Sequence, residues 1–373
     1  MKDFTDDTKS YFEEIEDYEE KLEELDDYEE LDEFDEGFEE ECEEDFQDKE
    51  LEDPKVLQEE VHEELKDFDS TTNNNKTPKK EFDKEKYARE KQKERDDCYV
   101  MIEDFLISIA NGDSQKLESL LRVMAQFETY SLNNCILIAE QLPKAKHVRA
   151  YSDWKDKNIN VLRGSKKIKV LAPKKQEYDG EERVFINVKN VYDESQTDIK
   201  KKSIKPKISD SSIYKGLEDV TEKRIVKVDS EDIGYRTIDQ DFKTIFVKAS
   251  QPSHLLNLTT LNAILEATTL ENSPETENNT RIISNFDNFI NECINFVFAN
   301  RYYQNSTFSE FFIVKVNFEK LDLSPEILKE ALKKVRYITK RIFQAIYNEE
   351  KLDRKLSNDQ RSDEEPSNRR FSE

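Results

Sequence analysis

The spacing of apolar residues divides this chain into stretches of different character. Tyr11, Ile15, Tyr18, Leu22, Leu25, Tyr28, Leu31, Phe34 and Phe38 recur every three or four positions, the spacing of one helix face. Almost every position between them is a carboxylate, so neighbours at i,i+4 repel and charge opposes the helix. Two readings stay open: a solvated, largely disordered arm with transient helix, or an arm that folds on a cationic partner. Residues 70–80, STTNNNKTPKK, are a polar linker with a helix-breaking Pro78. A charged helical stretch, Lys84 to Arg95, then leads into a core helix from Cys98 to Ala110, with Val100, Ile102, Phe105, Leu106 and Ile109 along one side. Asn111-Gly112 ends it. Asp113 or Ser114 caps a second helix through Phe127, whose apolar face is Leu117, Leu120, Leu121 and Met124. Ser131 caps a third, which carries the run Cys135–Ala139 and ends at Leu142-Pro143. A short helix carries Trp154.

The period then changes to two. Lys167-Ile168-Lys169-Val170-Leu171 and Arg183-Val184-Phe185-Ile186-Asn187-Val188 read as strands. Helices followed by a small antiparallel sheet make an α+β arrangement. Residues 198–212, rich in Lys, Asp and Ser, read as a second linker. Beyond it, Arg224–Val228 and Thr244–Val247 are strand-like, and two helices follow, Arg281 to about Tyr302 and Ser324 to about Tyr347. Ser324-Pro325-Glu326 is a strong start signal for the latter. The tail from Lys351 is polar and expected to be disordered. The predicted organisation is a disordered acidic arm over 1–75, one α+β domain over 76–205, a second over 206–350, and a disordered tail over 351–373.

Charge separates these parts further. Residues 1–69 hold 35 Asp and Glu against 6 Lys and Arg, a net charge of −29. The whole chain of 373 residues carries −27, which leaves residues 70–373 at +2. The body is therefore near neutral and bears a long anionic arm. Cys42, Cys98, Cys135 and Cys293 form no CxxC pair, which argues against a disulfide framework or zinc cluster and fits a reducing cytosol. The N-terminus has no apolar signal-peptide region and no run is long enough to span a membrane, so a cytoplasmic location is expected.

Within the near-neutral body, residues 144–207 hold 18 Lys and Arg against 9 Asp and Glu, a net +9. Aromatic residues interleave with these cations. Cations can follow a phosphate backbone while flat rings stack on unpaired bases, at ~1–3 kcal/mol per base without sequence preference. The candidate DNA-binding residues are Tyr130, Asn134, Lys146, Arg149, Tyr151, Trp154, Lys155, Arg163, Lys166, Lys167 and Lys169. Each has a plainer alternative. Tyr130 and Asn134 can simply start a helix, Trp154 can be a core anchor, and lysines often mark only a solvated face.

The order of these residues carries a resemblance. Tyr130-Ser131 and Asn134 open an apolar helix, and Tyr151-Ser152-Asp153-Trp154 forms a Trp-containing turn. Arg163-Gly164 then leads into Ile168-Lys169-Val170-Leu171-Ala172-Pro173, and Val191-Tyr192-Asp193-Glu194-Ser195-Gln196-Thr197 follows. This arrangement, over about residues 98–200, resembles the N-terminal single-stranded-DNA-binding domain of ArdC antirestriction proteins and their LtrC-like relatives from conjugative elements. Those relatives usually have a second glycine at the basic turn, where this chain has Lys166 or Lys167. LtrC-like relatives often continue into a zinc metallopeptidase domain with an HExxH helix. Here His62, His147 and His254 form no such pair. Aligned on Leu261, Ala263 and Ala267 take the histidine positions, Ile264 the glutamate position, and Glu292 a downstream ligand position. The resemblance thus implies a degenerate metallopeptidase-like second domain, the alternative being an unrelated α+β module.

The function expected is that of a non-enzymatic single-stranded-DNA-binding protein of a mobile genetic element, with no cofactor and no metal. It would protect or accompany transferred DNA, or counter host restriction. The alternative is an acidic DNA-mimic decoy that binds a basic host nuclease or DNA-handling protein. The expected partners are single-stranded DNA and, through the arm, a basic host protein or the chain's own basic domain.

Overall fold

A computed structural model describes residues 84–178, 181–199, 208–230, 234–276, 281–303 and 323–363. The expected arm over 1–75 and the end of the tail lie outside these residues. The described chain is α+β, with helices leading into a small antiparallel sheet and a second set of strands and helices after it.

The first helix, α1 (Lys84–Ala110), joins the charged lead and the core helix into one element. It buries Cys98, Ile102, Phe105, Leu106 and Ile109. Its end is a Schellman motif: the Asp113 N–H donates to the Ser108 carbonyl at 3.1 Å and the Gly112 N–H to Ile109 at 2.8 Å. Gly112 takes φ +98°, which a side chain would resist. Asp113 then caps α2 (Ser114–Gln126), its carboxylate accepting the N–H groups of Gln115 and Lys116. Ser131 caps α3 (Leu132–Gln141) through the Asn134 N–H.

The first sheet has the order β1 (Val148–Ala150), β3 (Glu181–Asp193), β2 (Ile168–Tyr178), antiparallel throughout. Ile168 opposes Val191 and Leu171 opposes Val188 along the long hairpin. A short helix, α4 (Tyr151–Asp156), follows β1 without an intervening turn. The second sheet has the order β4 (Arg224–Val228), β6 (Thr244–Lys248), β5 (Arg236–Ile238), with β4 parallel and β5 antiparallel to β6. Around it stand α5 (Asp210–Asp219), α6 (Ser253–Asn272), α7 (Asn285–Tyr302) and α8 (Pro325–Asp363).

Several elements differ from the sequence reading. The segment read as a linker over 198–212 passes into α5, whose Ile213 and Leu217 are buried among polar residues that mask their helical spacing. The tail expected to be disordered from Lys351 continues α8 to Asp363. Side-chain pairing supports this extension: Arg354 meets Glu350 at 2.9 Å, and the buried Ser212 hydroxyl of α5 donates to Asp353 at 2.8 Å. The apolar residues of α6 are distributed around the helix, so no single stripe announces it. Strands β1 and β5 are too short for an alternating pattern to show.

The two halves share one continuous apolar core. Helix α7 packs on α2, and α8 packs on α1 and α3 as well as on α5 and α7. Where α5 meets α8 the backbones nearly touch: a Cβ on Gly216 would lie 2.6 Å from Ile346. The principal polar lock is Arg336 of α8, 2 % exposed. Its guanidinium donates to the carbonyls of Met124 at 3.1 Å and Tyr130 at 3.0 Å, and also to Phe127. These carbonyls lie at and just beyond the C-terminal end of α2, where partial negative charge collects and intrahelical donors run out. Arg301 reinforces the same join through Glu128, and Arg122 donates to Asn300 at 2.7 Å.

Candidate nucleic-acid interface

The predicted site residues separate by environment. Tyr130 and Asn134 are buried, 8 % and 1 % exposed. Asn134 acts as a substitute strand partner. Its amide donates to the Leu171 carbonyl at 2.7 Å, and its oxygen accepts the Leu171 N–H at 2.7 Å. Gln141, two turns further along α3, does the same for Lys169, with both bonds at 2.9 Å. Together the two amides satisfy the open edge of β2, which would otherwise expose unpaired backbone groups. Asn134 is therefore committed to the framework and cannot reach a ligand at the surface.

Trp154 is likewise inside, 2 % exposed. Its Nε1–H donates to the Tyr192 carbonyl at 2.8 Å, and its ring meets the His147 ring edge-on at 5.4 Å. The ring anchors α4 to the end of β3, the core role that the sequence left open. The exposed aromatic is Tyr151, at 57 %, on the first residue of α4. Arg149 is half-buried: its Nε–H donates to His147 Nε2 at 2.6 Å, and its guanidinium lies 6.0 Å from the Trp154 ring. Lys169 is half-buried too, with its amine 3.7 Å from Glu94 of α1.

Lys146, Lys155, Arg163, Lys166 and Lys167 are exposed. None has an ion pair among the described residues, whereas Lys116, Arg122, Arg236 and Arg301 elsewhere each meet a carboxylate. Trp154 holds the helix that bears Lys155, and the segments bearing the other four cations are gathered by residues outside the predicted set. Asp193, fully buried, accepts the N–H groups of Lys146 at 2.7 Å and His147 at 2.8 Å on one oxygen, and Ser195 on the other. The Gln196 amide donates to the Lys166 carbonyl at 2.7 Å while its oxygen accepts the Asp193 N–H. The Gln196 carbonyl takes the Leu162 N–H at 2.8 Å. Asp198 holds Asn160 by backbone and side chain. The stretch Asp193–Asp198 is thus a strap that ties residues 146–147 and 160–166 to the end of β3. Its signal is legible in the sequence: Asp193 and Gln196 form a capping box, an Asp followed three residues later by Gln. Within the strapped turn, Gly164 takes φ +87°, and Asn158 just before it takes φ +56°.

The resulting surface can bind a polyanion. Five exposed cations without ion pairs in the described fold lie on segments fixed at one end of the sheet, and an exposed tyrosine stands beside them. Cations supply phosphate attraction and the ring supplies a stacking plane.

The region compared with a metallopeptidase shows different packing. Ala263 and Ala267 are fully buried and Ile264 is 6 % exposed. Across from α6, Asn291 of α7 donates to Thr269 at 3.0 Å. Glu292 accepts from Asn288 at 3.1 Å, and burial pushes its carboxyl above the ordinary range. Among the described residues no three His, Cys, Asp or Glu side chains gather as a metal site. A carboxyl raised in the folded state opposes folding when ionised. Glu292→Gln is therefore expected to raise the melting temperature at pH 7–8, and the gain should vanish as pH falls through the folded pKa. A pH series of thermal melts checks this.

Residues 110–209 match the family described as the N-terminal domain of anti-restriction factor ArdC. None of the curated proteins compared matches the chain. Among solved structures, the Mn(II)-bound crystal structure of the antirestriction ArdC protein from the R388 plasmid is similar at 13 % identity and a TM-score of 0.37, covering 58 % of this chain and 84 % of that one. The metal-free structure of that protein is similar at 11 % identity and a TM-score of 0.33, covering 58 % and 85 %. No helix among the described residues is long and apolar enough to cross a membrane.

Proposed function

We propose, from the match of residues 110–209 to the ArdC N-terminal domain, that this chain is a non-enzymatic single-stranded-DNA-binding protein of a mobile genetic element. In the cytosol it would shield or accompany transferred DNA, or counter host restriction. The observation that carries the reading is the strapped cationic surface. Lys146, Lys155, Arg163, Lys166 and Lys167 are exposed and lack ion pairs among the described residues, on segments that the Asp193–Asp198 strap and, for Lys155, the Trp154 anchor of α4 hold in place. Tyr151 offers a stacking plane at the same end of the sheet. A preference for unpaired strands follows, because a stacking ring needs a base that is free of its duplex partner.

The second half is proposed to serve as a scaffold in place of a hydrolase. Its metallopeptidase-like alignment puts buried alanines at both histidine positions, and alanine cannot hold a metal. Arg336 gives that half a structural role, since it holds the end of α2 from which the chain enters the DNA-binding segment. The charge of residues 1–69 favours a second reading, in which the arm imitates DNA and occupies a basic host nuclease or DNA-handling protein. Titration of labelled oligo(dT) across a salt series tests the first reading.

A further inference from the structure

The turn that carries Arg163 holds one apolar side chain out to solvent. Leu162 is 49 % exposed, yet its backbone is fixed on both sides. Its N–H donates to the Gln196 carbonyl at 2.8 Å, and its own carbonyl accepts the Ser165 N–H at 3.1 Å. The Ser165 hydroxyl donates to the same Gln196 carbonyl at 3.3 Å. Just before the turn, Val161 bridges to Thr197 of the strap, and just after it the Gln196 amide holds the Lys166 carbonyl. Gly164 stands third in the turn at φ +87°, as a type II turn requires, and a Cβ there would meet nothing within 4 Å. The apex therefore projects into open space while its base is clamped, and no loop has to be ordered when the leucine meets a ligand.

The charge around this leucine selects the ligand. Arg163, Lys166 and Lys167 are exposed within five residues of it and have no ion pair among the described residues. Exposed aliphatic side chains elsewhere stand beside carboxylates: Val100 and Ile107 share α1 with Glu103 and Asp104, and Leu352 of α8 precedes Asp353. A single strand of nucleic acid matches the combination at Leu162, with phosphates outside and apolar base faces between them. An aliphatic side chain has no hydrogen bond to give a base edge, so it acts on the stack itself by entering a step between adjacent bases.

We propose that Leu162 is an unstacking wedge, which enters between two neighbouring bases of a bound strand while Arg163, Lys166 and Lys167 hold the flanking phosphates. This rests on the DNA-binding reading of the strapped surface and deepens it, adding a mechanical activity, the opening of a base stack. Purine runs stack on themselves even without a complementary strand, and a base in such a run presents its face to its neighbour. Opening one step frees a face for the ring of Tyr151. The strap then does more than gather cations, because pushing bases apart needs a probe that does not yield. The wedge is sequence-tolerant and matters most where stacking is strongest, in an adenine run and not in a weakly stacked thymine run.

The test places 2-aminopurine in the middle of an end-labelled oligo(dA), since that base is quenched while stacked and brightens when its stack opens. The full-length chain and its Leu162→Ala and Leu162→Met variants are titrated at about 50 mM salt. Anisotropy of the end label reports binding, and 2-aminopurine emission reports stacking in the same samples. The series is repeated in a Tyr151→Ala background, where the tyrosine ring cannot quench an opened base. The native chain should raise the emission about threefold or more at saturation, and Leu162→Met should keep the rise. Leu162→Ala should lose most of it while binding oligo(dT) within about twofold of the native chain. An equal rise with Leu162→Ala would overturn the inference. Binding by the native chain with no rise in either background would also overturn it, leaving the DNA-binding reading standing and Leu162 to an apolar pocket on a protein. Absence of binding by the native chain would remove both.

Discussion

Replacing Lys146, Lys155, Arg163, Lys166 and Lys167 together with Gln is expected to weaken binding to oligo(dT) by on the order of 10²–10³-fold near 0.1 M salt. Each cation that meets a phosphate releases condensed counterions, and the slope of log K against log salt should shallow by roughly 0.7 for each phosphate no longer neutralised. All five side chains are exposed and none has an ion pair among the described residues, so the fold has little to lose. An unchanged melting temperature alongside the weakened affinity would separate binding from stability. A loss of less than about threefold would show that the phosphates are held elsewhere. Trp154 is a poor reporter for this experiment, since it is buried and bonded to the Tyr192 carbonyl. A label on the oligonucleotide avoids that difficulty.

Arg336→Met should cause the largest loss of stability. The substitution removes charge-assisted hydrogen bonds to the carbonyls of Met124, Phe127 and Tyr130 and leaves those carbonyls without their donor. At ~1.5–3 kcal/mol for each bond to a charged group, less the volume that methionine recovers, the expected loss is about 4 kcal/mol. That corresponds to roughly 10 °C in melting temperature for a chain of this size. Arg336→Lys should recover only a minor part, because a single ammonium cannot reproduce the planar fork. A loss below about 1 kcal/mol in urea titration would mean that the carbonyls find water or another donor.

Much of the fold is legible because local signals and tertiary packing agree. Asn111-Gly112-Asp113 reads as a helix stop followed by a helix start, and it forms a Schellman motif followed by an Asp cap. Ser131 caps a helix as a short polar residue before an apolar run does, whereas the helix read from Arg281 begins only after a cap at Ser284. What is not legible depends on distant partners. Helix α5 lies in a Ser- and Lys-rich stretch and forms because Ile213 and Leu217 are buried and Gly216 lets α8 approach. The extension of α8 past Lys351 depends in part on its bonds to α5.

The site is legible in composition and less so in roles. Cation density points to the segment that carries the exposed cations, while Asn134 and Trp154 are framework. Nothing local reveals that the Asn134 amide will meet Leu171, 37 positions away. Asp193 and Gln196 are visible as a motif without a purpose. Their purpose is the strap, which emerges only when residues 146–147 and 160–166 are brought beside them.

Whether the strapped cationic surface binds single-stranded DNA is decided by anisotropy of labelled oligo(dT) against a duplex of equal length. The titration of the full-length chain runs from about 50 mM to about 500 mM salt. Binding should favour the single strand and fall steeply and linearly in log K against log salt. No binding of single strands at the lowest salt, or a duplex bound as tightly as the single strand, would contradict a single-strand-binding role for this surface.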